Sequence, residues 1–93
     1  MINVAIVEDN DTIREGLAAL INGTIGYKCI GLFGDCESFL LKLTTLDVNV
    51  VLMDIALPGI NGIEGVKEAK RIMPDIDILM LTIYEDSEKV FDA

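Results

Sequence analysis

Oxygen-bearing side chains follow three of the apolar, strand-like segments of this chain. Glu8 and Asp9 follow the first segment, Asp54 follows the third and Thr82 follows the fourth. Ligand sites in parallel sheets lie beyond the carboxyl ends of the strands, so we expect these side chains to converge. Three carboxylates held so close together repel one another unless a cation neutralises them. Oxygen ligands without His or Cys favour a hard cation, and an open site that keeps its waters favours Mg2+.

Asp54 is the residue expected to react at this site. A carboxylate beside bound Mg2+ can attack phosphorus, because the metal offsets the charge of the incoming phosphoryl group and orients it. Thr82, a hydroxyl on the neighbouring strand, is placed to donate a hydrogen bond to a phosphoryl oxygen. The alternative for Asp54 is a strand-terminal residue that only caps the turn at Pro58 and Gly59.

The elements that must position these residues alternate between strands and helices. Predicted strands cover residues 2–7, 27–33, 48–53 and 76–81, and predicted helices lie near residues 13–22, 35–45 and 62–73, with a further short helix beginning at Ser87. The third and fourth strands are almost continuously apolar, which is typical of strands buried on both faces. Strands and helices that alternate with short links predict an α/β fold, a flavodoxin-like doubly wound parallel sheet with helices on both faces.

The helical spacing also predicts caps and inward faces. Thr12 and Glu15 match a capping box that would start the first helix, and Arg14 is interpreted as a solvated residue on that helix. Apolar residues at helical spacing predict two buried stripes. Those stripes comprise Ile13, Leu17, Leu20 and Ile21 in the first helix, and Ile63, Val66, Ala69 and Met73 in the third.

The composition limits the partners of this chain. A formal net charge of −9 argues against nucleic acid and against anionic membranes as partners. No apolar run is long enough to cross a bilayer, and the chain does not open with a signal peptide. Cys29 and Cys36 lack metal-ligand spacing and the chain has no histidine, so we interpret them as reduced thiols in a cytoplasmic protein.

Three motifs together carry a resemblance to a known family. They are Val7-Glu8-Asp9-Asn10, the stretch from Val51 through Asp54, Pro58 and Gly59 to Gly62, and Leu79-Met80-Leu81-Thr82. Over residues 1–93 the chain resembles the receiver domain of bacterial two-component response regulators. The tripeptide Thr82-Ile83-Tyr84 is similar to the subgroup whose receiver precedes a helix-turn-helix DNA-binding domain.

The resemblance implies a function in phosphorelay signal transduction, with a regulatory domain rather than an enzyme. Asp54 would accept a phosphoryl group from the phosphohistidine of a sensor histidine kinase, and Thr82 would act as the switch residue. Asp9 and Asp54 would bind Mg2+, with Glu8 acting through a water and Ala56 through its backbone carbonyl. The family fold is a parallel sheet of strand order 2-1-3-4-5 flanked by five helices.

The chain departs from the family pattern at its C-terminal end. Neither the fifth strand nor the lysine that the family carries at its end is present after Thr82. We therefore expect a receiver lacking its C-terminal strand and helix, a fragment of a longer regulator whose DNA-binding domain is missing. An uncovered fourth strand would expose unpaired backbone groups, so we expect homo-oligomers formed through that edge or by exchange of elements between copies.

Other functions remain open at this point. One is a receiver-like module that is never phosphorylated and acts only through protein contacts, or an inactive folding fragment. Another is a haloacid-dehalogenase-type hydrolase, but that family needs an aspartate where this chain has Ala56. A flavin-binding role is disfavoured because the first strand–helix turn is acidic and not rich in Ser, Thr and Gly.

Overall fold

A computed structural model describes residues 1–81 of the chain. In chain order they form β1 (Ile2–Val7), α1 (Asp11–Asn22), β2 (Tyr27–Phe33), α2 (Cys36–Lys42) with a 3-10 turn at Leu43–Thr45, β3 (Val50–Asp54), α3 (Gly62–Ile72) and β4 (Asp77–Leu81). The strands agree with the predicted ranges to within two residues. The helix predicted near Ser87 lies outside the described residues.

The strands formed by residues 1–81 make one parallel sheet in the order β2-β1-β3-β4. This confirms the predicted α/β fold and agrees with the strand order that the resemblance implies. Val7 lies opposite Met53, and Asp54 lies opposite Leu81. The carboxyl ends of β1, β3 and β4 therefore meet at the same edge of the sheet.

Helices cover both faces of the sheet. On one face α1 packs its Leu17, Ala18 and Ile21 over the buried side chains of Val4, Ile6 and Leu52. On the other face α2 and α3 enclose the larger core cluster, whose fully buried members include Val7, Phe39, Leu43, Val51 and Met53. The core thus fixes β1 and β3 from both sides immediately before their carboxyl ends.

The first helix begins two residues earlier than predicted. Its N-cap is Asn10, whose Oδ1 accepts a hydrogen bond of 2.9 Å from the Ile13 N–H. The prediction of Thr12 as the cap is wrong, since Thr12 lies inside the first turn. An asparagine caps a helix at least as well as a threonine. Because the loop places the Asn10 side chain next to the free N–H groups of the first turn, the helix begins after Asn10 and not after Thr12.

Small residues decide which helix faces turn inward. The buried positions of α3 are Gly62, Gly65 and Ala69, and Ile63 is 55% exposed, so its predicted inward position is wrong. A Cβ at Gly65 would lie 2.5 Å from the Cys36 Sγ, so the glycine allows α3 to approach α2 closely. In α1, Leu20 is likewise 69% exposed, because the inward stripe is centred on the side chains already named and leaves Leu20 on its flank.

Both cysteines are free thiols. Burial raises the pKa of Cys29, and burial together with the carboxylates of Glu37 and Asp35 raises the pKa of Cys36 to about 11. The Cys36 Sγ lies 3.4 Å from the Met53 Sδ in the core. Both thiols are therefore protonated near neutral pH.

Among residues 1–81, no helix combines the length and the apolar character that crossing a bilayer requires.

Candidate functional site

Three carboxyl groups meet at the edge where β1 and β3 end. Glu8 and Asp9 directly follow β1, and Asp54 is the last residue of β3. The pairing of Val7 with Met53 sets these ends level with each other. One carboxylate oxygen from each of Glu8, Asp9 and Asp54 lies within 4.8 Å of the others. The structure therefore brings together three of the residues that the sequence singled out.

The three acids differ in exposure. Glu8 is 1% exposed and Asp54 is 5% exposed, whereas Asp9 is open to solvent. Asp54 Oδ1 accepts a hydrogen bond of 3.1 Å from the Ala56 N–H. Glu8 Oε2 accepts one of 2.9 Å from the Asn10 N–H, but Glu8 Oε1 is buried and finds no hydrogen-bond partner within residues 1–81. A buried acceptor without a partner costs free energy, so this oxygen needs a proton or a cation.

The surroundings of Glu8 favour its neutral form. The pKa of Glu8 is raised to about 7, chiefly by burial and then by the nearby carboxyl groups of Asp9 and Asp54, while the hydrogen bond from the Asn10 N–H opposes the rise. Like charges in a shared site disfavour ionisation, and a bound cation removes that penalty. Ionisation of the Glu8 carboxyl group is therefore unfavourable until a cation binds at the site.

The donor set fits a hard divalent cation. All three side chains offer carboxylate oxygens, the partnerless Oε1 of Glu8 is one of them, and Asp9 leaves the site open to water. Oxygen-only sites that keep water select Mg2+, Ca2+ or Mn2+ over softer metals. The cluster can therefore hold a metal ion between the ends of β1 and β3.

Backbone contacts behind Asp54 keep its position fixed. The Ile55 N–H donates to the Leu81 carbonyl at 3.1 Å, and the Gly62 N–H donates to the Ile55 carbonyl at 3.1 Å. A Cβ at Gly62 would collide with the Asp54 carbonyl oxygen and lie 2.8 Å from the Ile55 Cα. Only a glycine lets the start of α3 lie against this turn, and neither the motif nor the predicted helix over residues 62–73 reveals that role, because the close approach exists only in the folded turn.

Arg14 was also missed as a contributor to the site. The prediction of a solvated side chain is wrong, since the Arg14 side chain is only 18% exposed and its guanidinium donates to the Glu8 carbonyl at 2.8 Å. The i, i+3 spacing from Asp11 to Arg14 was a signal for the ion pair that the two residues form. Nothing in the helical periodicity marks the second contact, which reaches back out of the helix.

Two other predicted site residues stand differently. Thr82 lies outside the described residues. The Ala56 N–H donates a hydrogen bond to Asp54 Oδ1, so the Ala56 backbone lies next to this carboxylate. A contact between the Ala56 carbonyl and a cation stays a prediction.

Comparison with known families and curated proteins gives matches along the chain. The family model described as "Response regulator receiver domain" matches residues 4–93. The response regulator GacA of Pseudomonas protegens is 36% identical over 86 residues, covering 92% of this chain and 40% of the relative. The transcriptional regulatory protein LnrK of Bacillus subtilis is 36% identical over 93 residues, covering 100% of this chain and 42% of the relative. This chain therefore spans less than half the length of these relatives.

Solved structures share the fold. RcsB from Salmonella enterica serovar Typhimurium, bound to promoter rprA in the presence of the phosphomimetic BeF3-, matches with a TM-score of 0.83 and 26% identity, covering 97% of this chain and 52% of that one. A two-component response regulator of the LuxR family from Aurantimonas sp. SI85-9A1 also matches with a TM-score of 0.83 and 26% identity, covering 96% of this chain and 64% of that one.

Proposed function

The chain belongs to the response regulator receiver family, and on that premise we propose that Asp54 accepts a phosphoryl group from the phosphohistidine of a sensor histidine kinase. In this proposal residues 1–93 act as one receiver domain in the cytoplasm. A receiver of this kind is a regulatory domain rather than a classical enzyme, since the residue that reacts is also the residue that carries the signal.

The observation that supports this proposal most strongly is the convergence of three carboxyl groups around a partnerless buried oxygen. Glu8, Asp9 and Asp54 place their oxygens within 4.8 Å of one another, and Oε1 of Glu8 has no partner in the described part of the chain. We assign Mg2+ to Asp9 and Asp54, with Glu8 acting through a water and Ala56 through its carbonyl. A turn cap alone would account for Asp54 but not for the two other acids.

When bound, Mg2+ supplies positive charge that offsets the phosphoryl oxygens and orients them. A carboxylate oxygen of Asp54 forms the new bond to phosphorus as the phosphorus–nitrogen bond to the kinase imidazole breaks, and that electron pair returns to the nitrogen. The Ala56 N–H holds Asp54 Oδ1, which orients the carboxylate for attack. Thr82 would then donate a hydrogen bond to the phosphoryl group.

The downstream role belongs to the same proposal. RcsB was solved bound to a promoter, and LnrK is named a transcriptional regulatory protein. We infer that a receiver of this sequence controls a DNA-binding output domain in a longer polypeptide, with phosphorylation of Asp54 as the input. The net charge of −9 disfavours direct DNA contact by these 93 residues.

The proposal is tested by the intact mass of the purified chain after brief incubation with Mg2+ and acetyl phosphate. We expect one added phosphoryl group, no addition when EDTA replaces Mg2+, and none in Asp54→Asn. Asp47→Asn is the matched control, because Asp47 lies at the opposite edge of the sheet, where its carbonyl accepts a hydrogen bond from the Asn3 side chain. This variant should be phosphorylated like the wild type.

Absence of an adduct on a folded wild-type chain would contradict the proposal. The chain would then fit the alternative of a receiver-like interaction module or an inactive folding fragment. An adduct that persists in Asp54→Asn would place the modification on another residue and would also contradict the assignment.

A further inference from the structure

The Arg14 side chain ties the peptide between Glu8 and Asp9 to the first helix. Its Nη1 donates to the backbone carbonyl of Glu8 at 2.8 Å, and its Nη2 pairs with the Asp11 carboxylate. The side chain is 18% exposed, whereas Asp11 is 82% exposed. The planar guanidinium can make both contacts at once because its donors are fixed in a fork.

The carbonyl that Arg14 holds belongs to the peptide joining Glu8 to Asp9. A peptide is planar, so a contact that holds its oxygen restricts rotation of the plane, and with it ψ of Glu8 and φ of Asp9, which help to set the directions of the two side chains. Two further bonds hold the same loop. The Glu8 N–H donates to the Phe33 carbonyl at 2.9 Å, and Glu8 Oε2 accepts from the Asn10 N–H. Of these contacts, the one from Arg14 acts on the peptide between the two acids.

The third helix contains a similar ion pair that has no corresponding contact with the loop carrying Glu8 and Asp9. Arg71 pairs with Glu68 at the same i, i+3 spacing and at 2.8 Å, but the Arg71 side chain is 70% exposed. Exposed pairs of this kind contribute little to stability. Arg71 therefore offers a control that matches Arg14 in residue type, helix setting and ion pairing, and differs in contact with the acid loop.

We propose that Arg14 is a positioning residue for the metal site, and that it acts by holding the Glu8–Asp9 peptide so that both carboxylates face Asp54. The inference rests on the proposed function, since the metal is the one assigned there. It concerns how this chain orients its own ligands, and Arg14 itself does not contact the metal.

The sign of the effect separates positioning from charge alone. Arg14 carries a positive charge beside a site for a divalent cation, so on electrostatic grounds its removal would tighten cation binding. Removal of a group that orients the ligands weakens binding instead, and outer contacts of this kind are worth about 10-fold or more in metal affinity. The two effects oppose each other, and positioning predicts the weaker affinity.

The test measures Mn2+ binding by the electron paramagnetic resonance signal of the free ion, because Mn2+ accepts the same oxygen ligands. Arg14→Gln should raise the Mn2+ dissociation constant by about 10-fold. Arg14→Lys can still donate to the Glu8 carbonyl but not to both of its present partners at once, so it should give a smaller increase. Arg71→Gln should leave the constant unchanged.

An Arg14→Gln constant equal to or lower than that of the wild type would overturn the proposal. If Arg14→Gln does not fold by circular dichroism, Arg14→Lys decides the matter, and an unchanged or lower constant there overturns it. A wild type that binds Mn2+ but takes up no phosphoryl group, with weaker binding in Arg14→Gln, would overturn the proposed function and leave the positioning role intact. A wild type that binds no Mn2+ overturns both.

Discussion

At the scale of single residues, Glu8 has the most unusual environment in the described part of the chain. It is buried, one of its oxygens has no hydrogen-bond partner, and its pKa is raised to about 7 by burial first and by its acidic neighbours second. A carboxyl group with these properties takes up a proton or a cation depending on conditions. The residue thus links the stability of the domain to pH and to metal.

The metal-free protein should lose stability as pH rises from about 4.5 to about 7 on account of Glu8. In that window the folded state holds a proton that the unfolded chain has released, so rising pH favours unfolding. The contribution is on the order of a few kcal/mol. The free energy of unfolding, measured with urea in the presence of EDTA, should be lower at about pH 8 than at about pH 5. Glu8→Gln should reduce this difference.

Glu15 gives the matched control for that measurement, since it is exposed on α1. Glu15→Gln should keep the wild-type decline. An equal decline in wild type and Glu8→Gln would show that Glu8 does not titrate in this window.

Mg2+ should stabilise the protein more at about pH 8 than at about pH 6, because at the lower pH a proton on Glu8 competes with the cation. Thermal unfolding with and without excess Mg2+ at the two pH values measures the difference. Asp54→Asn should reduce the stabilisation by Mg2+ at both pH values. A gain that does not depend on pH would argue that the cation binds without displacing a proton from Glu8.

At the scale of elements, the strands were predictable and the helix faces only in part. Short apolar runs and their acidic ends are local features, so the sequence placed β1 and β3 and the acids that follow them. The orientation of α3 depends instead on which of its positions can approach the neighbouring elements. Gly62 and Gly65 face inward, and Ile63 faces outward, because a side chain at either glycine would collide with the residues packed against it. The hydrogen bond from Arg14 to the Glu8 carbonyl could not be predicted from the sequence for a similar reason, since it forms only once the loop has folded back against the helix.

Two glycine-to-alanine substitutions should have opposite effects. Gly62→Ala should destabilise the domain by about 1–3 kcal/mol, because its Cβ would meet the backbone of Asp54 and Ile55 and push α3 away. Gly16→Ala should stabilise it by about 0.4–1 kcal/mol, because Gly16 lies within α1 and its Cβ would meet nothing within 4 Å. Chemical denaturation of both variants measures the two shifts.

Phosphorylation separates the two glycine variants further. Gly62→Ala should take up the phosphoryl group more slowly, since the turn that holds Asp54 must move, and Gly16→Ala should react at the wild-type rate. A Gly62→Ala protein with unchanged stability and rate would show that α3 yields without disturbing the site.

At the scale of the whole molecule, β4 lies at one end of the sheet formed by residues 1–81, and its Leu79 is 58% exposed. An apolar strand at the end of a sheet favours pairing with another chain. We therefore predict that the 93-residue polypeptide self-associates at micromolar concentration, through this edge or by exchange of elements. Light scattering over a range of concentrations measures the association.

Leu79→Lys should lower the average mass, because a charge on an end strand opposes pairing. Leu41 is 82% exposed on α2, and Leu41→Lys is the control that should leave the mass unchanged. A wild-type monomer at every concentration tested would contradict the prediction.

The contact between Cys36 and Met53 gives the protein a natural reporter. Cys36 is 0% exposed and packs against the residue that precedes Asp54, with Gly65 of α3 on its other side. A thiol reagent can reach it only when α2 and α3 separate, whereas Cys29 on β2 is partly exposed and serves as an internal reference. The alkylation rate of Cys36 relative to Cys29 therefore measures how often the layer beneath Asp54 opens, and it can be compared before and after incubation with Mg2+ and acetyl phosphate without attaching a label.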